Sequence, residues 1–230
     1  MSTAHGSTPG TTPGTTPSTT SGTSDGAETP PARRHTARDL AQIAVFAALI
    51  AALGLPGSIV IGGTPVPITF QTLGVMLAGA ILGARKGTLA VLLVLVLVAA
   101  GLPLLAGGRG GLGVFVGPSV GYLIGWLPGV AVIGWLTARL LPRYRVLPAL
   151  AATALGGIVV VYLLGVPVMA ARTELPIGVA LLDSLKFLPG DIAKVVVTVL
   201  VAKRVHRAWP GLIAPRPWPW QRRQDDSPVA

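Results

Sequence analysis

Six long apolar runs, separated by short segments that hold most of the charge, constrain this chain more than any other feature. They extend from Leu40 to Leu55, Ile68 to Leu82, Gly87 to Leu102, Val120 to Leu141, Leu147 to Met169 and Pro189 to Val205. Hydrophobic residues fill 51% of the 230 positions and charged residues 11%, too little charge to cover a water-soluble domain. In hydrocarbon every backbone N–H and C=O must be paired within the protein, and a helix does this inside one segment. The predicted fold is therefore an all-α integral membrane protein, with six transmembrane helices and glycine-rich external loops. A crossing takes about 20 helical residues, so the second run is short and must borrow from its flanks or bend at depth. Pro56, Pro65, Pro67, Pro103, Pro118 and Pro189 stand at run ends, where a missing N–H does least harm.

Residues 1–35 form a Ser/Thr/Pro/Gly-rich tract without apolar periodicity, which predicts a disordered tail and not a secretory signal. The membrane domain is expected over 36–207, and a basic tail over 208–230. Of the 18 Lys and Arg residues, Arg33, Arg34, Arg38, Arg85, Lys86, Arg139, Arg143, Arg145, Lys203, Arg204, Arg207, Arg216, Arg222 and Arg223 all fall on one side if each run crosses once. Short basic loops stay cytoplasmic, so both termini are predicted to be cytoplasmic in a multi-pass protein of the cell membrane. The same scatter between apolar runs accounts for the net charge of +10 without nucleic acid. The outer side receives Gly54 to Val66, Pro103 to Pro118 with Arg109, and Ala170 to Leu188. Glycine concentrates in the first two of these loops, which suggests a capped external pocket as well as plain flexible connections.

Cysteine is absent and the three histidines are dispersed, so no transition-metal site is expected. No phosphate-binding G-x-x-x-x-G-K-[ST] loop occurs, and any ATP-driven step belongs to another chain. Gly117 to Gly121 matches G-x-S-x-G, yet no histidine stands where it could serve Ser119, and the chain reads as a non-enzyme. Gly79 with Gly83, and Gly121 with Gly125 and Gly129, have the spacing of close helix packing within the bundle. Ala44, Ala48 and Ala52 form a stripe suited either to packing inside the bundle or to docking another subunit. Asp183 and Lys186 read as a solvated surface pair. Asp191 and Lys194 are different. They lie one turn apart at the mouth of the last run, where ionisable groups cost about 2.5–3.5 kcal/mol each on insertion scales and therefore face a partner or a cavity. Either they close on each other, or the carboxylate accepts N–H bonds from a ligand while Lys194 or Arg109 meets a ligand carboxylate. Tyr122, Trp126 and Phe115 are available as apolar walls. Residue chemistry thus reaches a small amphipathic anion captured from outside.

Three strings in order, VPITFQTLGVMLAGAILGARKG, LAGGRGGLGVFVGPSVGYLIGW and LPGDIAKVVV, resemble the BioY family, the biotin-binding S components of energy-coupling factor (ECF) transporters. The resemblance spans roughly Arg38 to Arg207. It implies a six-helix domain that binds biotin from outside and works with a transmembrane coupling subunit and ATPase subunits within membrane lipid. No cofactor of its own is implied, since biotin is cargo and ATP is used by the partners. By motif position Asp191 and Lys194 match the family's D-x-x-K, and Thr69 and Gln71 match its V-P-[FI]-T-x-Q. Gly107, Gly108, Gly110, Gly111 and Gly113 match its glycine loop, which here carries Arg109. Val120 stands where the family string has glycine. The alanine stripe Ala44, Ala48 and Ala52 resembles the face used for docking. Beside this reading stand the same architecture with another vitamin, and a self-sufficient proton-coupled transporter of small anions.

Overall fold

Thr36 starts the first helix: its hydroxyl accepts from the Asp39 amide at 3.4 Å, and Asp39 sets negative charge against the positive end of the helix. The computed structural model describes residues 36–57 and 66–216. The expected N-terminal tail, most of the first outer loop and the end of the C-terminal tail lie outside these residues. In order come α1 (Ala37–Ala52), α2 (Gln71–Ala99), a 3₁₀ turn (Leu112–Phe115), α3 (Val120–Leu140) and α4 (Val146–Ala154). A π-helical turn (Leu155–Val160) joins α4 to α5 (Val161–Thr173), and α6 (Ile177–Ser184) leads through a 3₁₀ turn (Leu185–Phe187) into α7 (Leu188–Ala208). No strand forms among the described residues, although Leu105 and Arg109 make an isolated bridge. Gln71–Ala99, Val120–Leu140 and Val146–Thr173 are long and apolar enough to cross a membrane. The chain is a multi-pass, all-helical membrane protein.

The second and third apolar runs were expected to be parted by a loop at Arg85 and Lys86. Instead, helix continues through both residues and a single residue, Gly83, makes the break, with φ 80° and ψ 178°. A Cβ on Gly87 would stand 2.8 Å from the carbonyl oxygen of Ala78, so the two limbs of α2 fold back against each other. A residue without Cβ is what permits that backbone angle. Residues 74–83 are all buried, which explains why this limb is short: it is the centre of the bundle and meets protein on every side.

Lipid tails are as apolar as leucine, so close packing has to hold such a bundle together. α2 packs on α1, α3 and α7, and α3 packs on α5. Gly121, Gly125 and Gly129 form the seam of α3 against the π turn and α5, where a Cβ on Gly129 would meet the Gly156 carbonyl oxygen at 2.7 Å. The expected intramolecular role of these glycines is what the structure shows. Ala47, Ile43 and Ile50 are the buried side of α1, whereas Ala44, Ala48 and Ala52 face outward. Packing inside the bundle is thereby removed as the reason for that stripe.

The segment from Ala170 to Leu188, expected as an external loop, contains α6, and Asp183 and Lys186 are no solvated pair. Their side chains are 15% and 14% exposed and 2.8 Å apart, because α6 lays them against the bundle. At Gly134 the backbones approach so closely that any Cβ would collide with the backbone of Gly83 and Ala84. Gly134→Ala is expected to destabilise the fold by about 1–3 kcal/mol. Gly178→Ala, with nothing within 4 Å of the added carbon, is expected to leave stability unchanged. Thermal melts of the two variants in detergent compare them directly.

Candidate ligand-binding site

The first turns of α2, α3 and α7 end around one cavity, closed on one side by the π turn and α5 and on another by the loop that carries Arg109. The atom-free space there, open mouth included, is about 640 Å³. Asp191 and Lys194 lie on its wall, 5% and 8% exposed. Proline at the second position of α7 suits a helix start, and the turn it begins presents Asp191 and Lys194 on one face.

The lysine ammonium donates to Asp191 Oδ1 at 2.9 Å and to Thr72 Oγ1 at 2.9 Å. The other carboxylate oxygen accepts from the Tyr162 hydroxyl at 2.7 Å. Desolvation of two opposite charges is offset only by good geometry and further hydrogen bonds, and this network supplies both. Each carboxylate oxygen keeps a second lone pair, and the ammonium keeps one more donor. The ion pair therefore offers acceptors and a donor to a ligand while carrying no net charge of its own.

Aromatic rings make the apolar wall. Tyr122 meets Tyr162 and Phe187 edge to face, each at 6.0 Å between centroids, a favoured geometry. Its hydroxyl shares a 2.8 Å hydrogen bond with Ser184 of α6, which brings that helix over the site. Trp126 also lines the cavity, whereas Phe115 packs in the neighbouring core.

Arg109 reaches the cavity from a tight hairpin. Gly107 and Gly108 turn the chain at φ 78° and 69°, angles open to glycine. Leu105 and Arg109 exchange amide bonds of 3.0 and 3.2 Å across that turn. The guanidinium Nε donates to the Ala106 carbonyl at 3.2 Å. No carboxylate of the described residues lies within ion-pair distance of it. Partial burial lowers the arginine pKa from its ordinary value, but arginine stays charged in proteins.

Thr69 and Gln71 line the cavity as well, but Gln71 is 1% exposed and its carboxamide is bonded to backbone. Gly108, Gly110 and Gly111 shape the hairpin and do not themselves line the cavity. Ser119 does line it, while His206, the histidine among the described residues, is about 18 Å further along α7 than Lys194 at the ordinary helical rise. The histidine ring instead lies 2.8 Å from the Ala80 carbonyl oxygen. Tyr162, Thr72 and Phe187 were missed from the sequence. Tyr162 sits in a run that reads as continuous apolar helix, and nothing local marks it as the partner of an aspartate 29 residues away.

A helical membrane bundle with a neutral ion-pair network, aromatic walls and an arginine at one cavity defines a membrane-embedded solute-binding protein. The chain belongs to the BioY family, whose profile matches residues 25–211. A biotin transporter BioY of Rhizobium etli is 47% identical over 182 residues, covering 77% of this chain and 97% of its own length. A biotin transporter BioY of Rhodobacter capsulatus is 48% identical over 191 residues, covering 78% and 98%. Among solved structures, the S-component for biotin from an ECF-type ABC transporter superposes with a TM-score of 0.73 at 36% identity, covering 76% of this chain and 93% of that one. These relatives are transport proteins and not enzymes.

Removing one member of the charged pair strands the other. Lys194→Met is expected to lower the stability of the unliganded protein by about 3–5 kcal/mol. The double variant Asp191→Asn/Lys194→Met is expected to recover part of that loss. Melting temperatures of wild type, single and double variants report the order.

Proposed function

We propose that this chain is the substrate-binding subunit for biotin uptake, capturing biotin from the external side and delivering it inward with an ATP-driven ECF module. The observation that carries the reading is the division of polarity in the cavity. Arg109, a cation with no carboxylate of the described residues beside it, stands apart from the Asp191, Lys194, Tyr162 and Thr72 network, with aromatic rings on the wall. Biotin has the complementary layout of a carboxylate, an apolar fused ring and a ureido group with two N–H donors and a carbonyl. In this arrangement Arg109 receives the carboxylate, Asp191 accepts the ureido N–H groups, and Lys194 donates to the ureido oxygen. The positive ends of α2, α3 and α7 favour the anionic ligand further. The reading requires no cofactor in this chain, and kinship with biotin transporters supports biotin over another vitamin.

The two limbs of α2 count as separate passes, which gives six in all: α1, each limb of α2, α3, the stretch from α4 to α5, and α7. Basic residues at the Gly83 turn and at the ends of α3 and α7 lie at the end of the bundle opposite the cavity. With basic loops inside, the cavity opens outward and both termini are cytoplasmic in the cell membrane. The Asp191 carboxylate is engaged by both Lys194 and Tyr162, and no observation favours a proton-coupled mechanism through it.

The outward alanines Ala44, Ala48 and Ala52 line an apolar groove with Leu93, Leu97 and Leu102. Small residues let a partner helix approach closely, and we assign this groove to the transmembrane coupling subunit. Titration of the purified protein with labelled biotin tests the main reading. Saturable binding at nanomolar to micromolar biotin is expected, and its absence, or full competition by an unrelated vitamin, rejects biotin as the cargo. Ala48→Trp is expected to leave biotin binding intact while ATP-driven uptake with the coupling subunits is lost. Unchanged uptake would move the docking face elsewhere.

A further inference from the structure

Gln71 begins α2 at the cavity wall, yet its carboxamide is turned to the backbone of two other segments. Its Nε2 donates to the Leu104 carbonyl at 2.9 Å and to the Ile50 carbonyl at 3.3 Å, while its Oε1 accepts from the Ala106 amide at 2.9 Å. Both amide hydrogens are thereby engaged, so no donor remains for a ligand. Ile50 belongs to the last turn of α1, where carbonyls lack partners within the helix, and Gln71 supplies one. Ala106 is held from both sides: its N–H by Gln71, and its C=O by Arg109 Nε at 3.2 Å. The peptide units around Ala106 therefore join the glutamine to the guanidinium, and the Leu105 to Arg109 hairpin fixes the remaining freedom of the turn.

Resting on the biotin reading above, we infer that Gln71 is a positioning residue that acts through Arg109, clasping the hairpin to the end of α1 so that the guanidinium meets the ligand carboxylate. A glutamine that touched the ligand itself would affect recognition of the part of the ligand it touched. A clasp acting through Arg109 affects recognition of the carboxylate alone. The hydrogen bonds across Ala106 also explain why the loop can be rich in glycine and still present its arginine in one place.

The test compares biotin with its uncharged carboxamide, biotinamide, as probes for the full-length protein in detergent. Arg109→Ala is expected to weaken biotin about tenfold or more while changing biotinamide less than about threefold, as for loss of a charged hydrogen bond. Gln71→Leu is expected to reproduce that selectivity. In the Arg109→Ala background, Gln71→Leu is expected to change the biotin Kd less than about threefold, because effects that pass through one residue do not add. Where Gln71→Leu fails to fold, Gln71→Met, uncharged and closer in length to glutamine, removes the same hydrogen bonds, and the same selectivity is expected of it. Equal weakening of both probes by either Gln71 variant, persistence of its effect without Arg109, or no selectivity in Arg109→Ala would overturn the proposal. Absence of biotin binding by the wild type would instead sink the functional reading on which it rests.

Discussion

A buried carboxylate and a buried ammonium cannot stand alone in a membrane bundle, and the shape of this protein at one end follows from satisfying them. Asp191 and Lys194 are adjacent on α7, but their remaining bonds come from Thr72 on α2 and Tyr162 on α5. Three helices are thus brought together at one end by groups whose separation would leave a charge uncompensated at low dielectric. The cavity is the space left beside that network, walled by the aromatic residues that surround it. The ion pair and the cavity are therefore one feature, and in the proposed reading the lone pairs and the donor left over are what a ligand would meet.

Elsewhere the bundle is held by the absence of side chain. Gly83 lets α2 fold back, Gly134 admits the backbone of that turn, and the glycine seam of α3 receives the π turn and α5. With hydrocarbon on the outside there is little drive to bury leucine, so closeness of approach decides which helices associate. The outward alanines of α1 are small residues not used in this way. Leu105 lines both their groove and the ligand cavity, so one short loop borders the two surfaces through which cargo and partner would act.

Much of this was legible in the residues. The starts and ends of α3 and α7 follow the apolar runs closely, since a helix in hydrocarbon has no other way to pair its backbone. The D-x-x-K spacing placed Asp191 and Lys194 on one face, and the loop string brought Arg109 into view. Where the reading failed, the reason was a contact distant in sequence. Arg85 and Lys86 look like a loop, but helix runs through them because Gly83 has already made the turn. Asp183 and Lys186 look solvated until α6 lays them on the bundle. The motif brought Gln71 to the cavity wall, but not its hydrogen-bond partners, Ile50, Leu104 and Ala106, which lie in two other segments.

Local chemistry alone was enough to commit the chain to helices in a membrane, to set most of their limits and to mark one charged pair as exceptional, because hydrophobic run length, proline position and charge cost are properties of neighbouring residues. Which side of α1 faces outward, which tyrosine holds Asp191 and which peptide holds Arg109 depended on helices meeting across long stretches of chain. Those meetings are governed by close packing and by the pairing of buried polar groups, and neither leaves a periodic trace in the order of the amino acids.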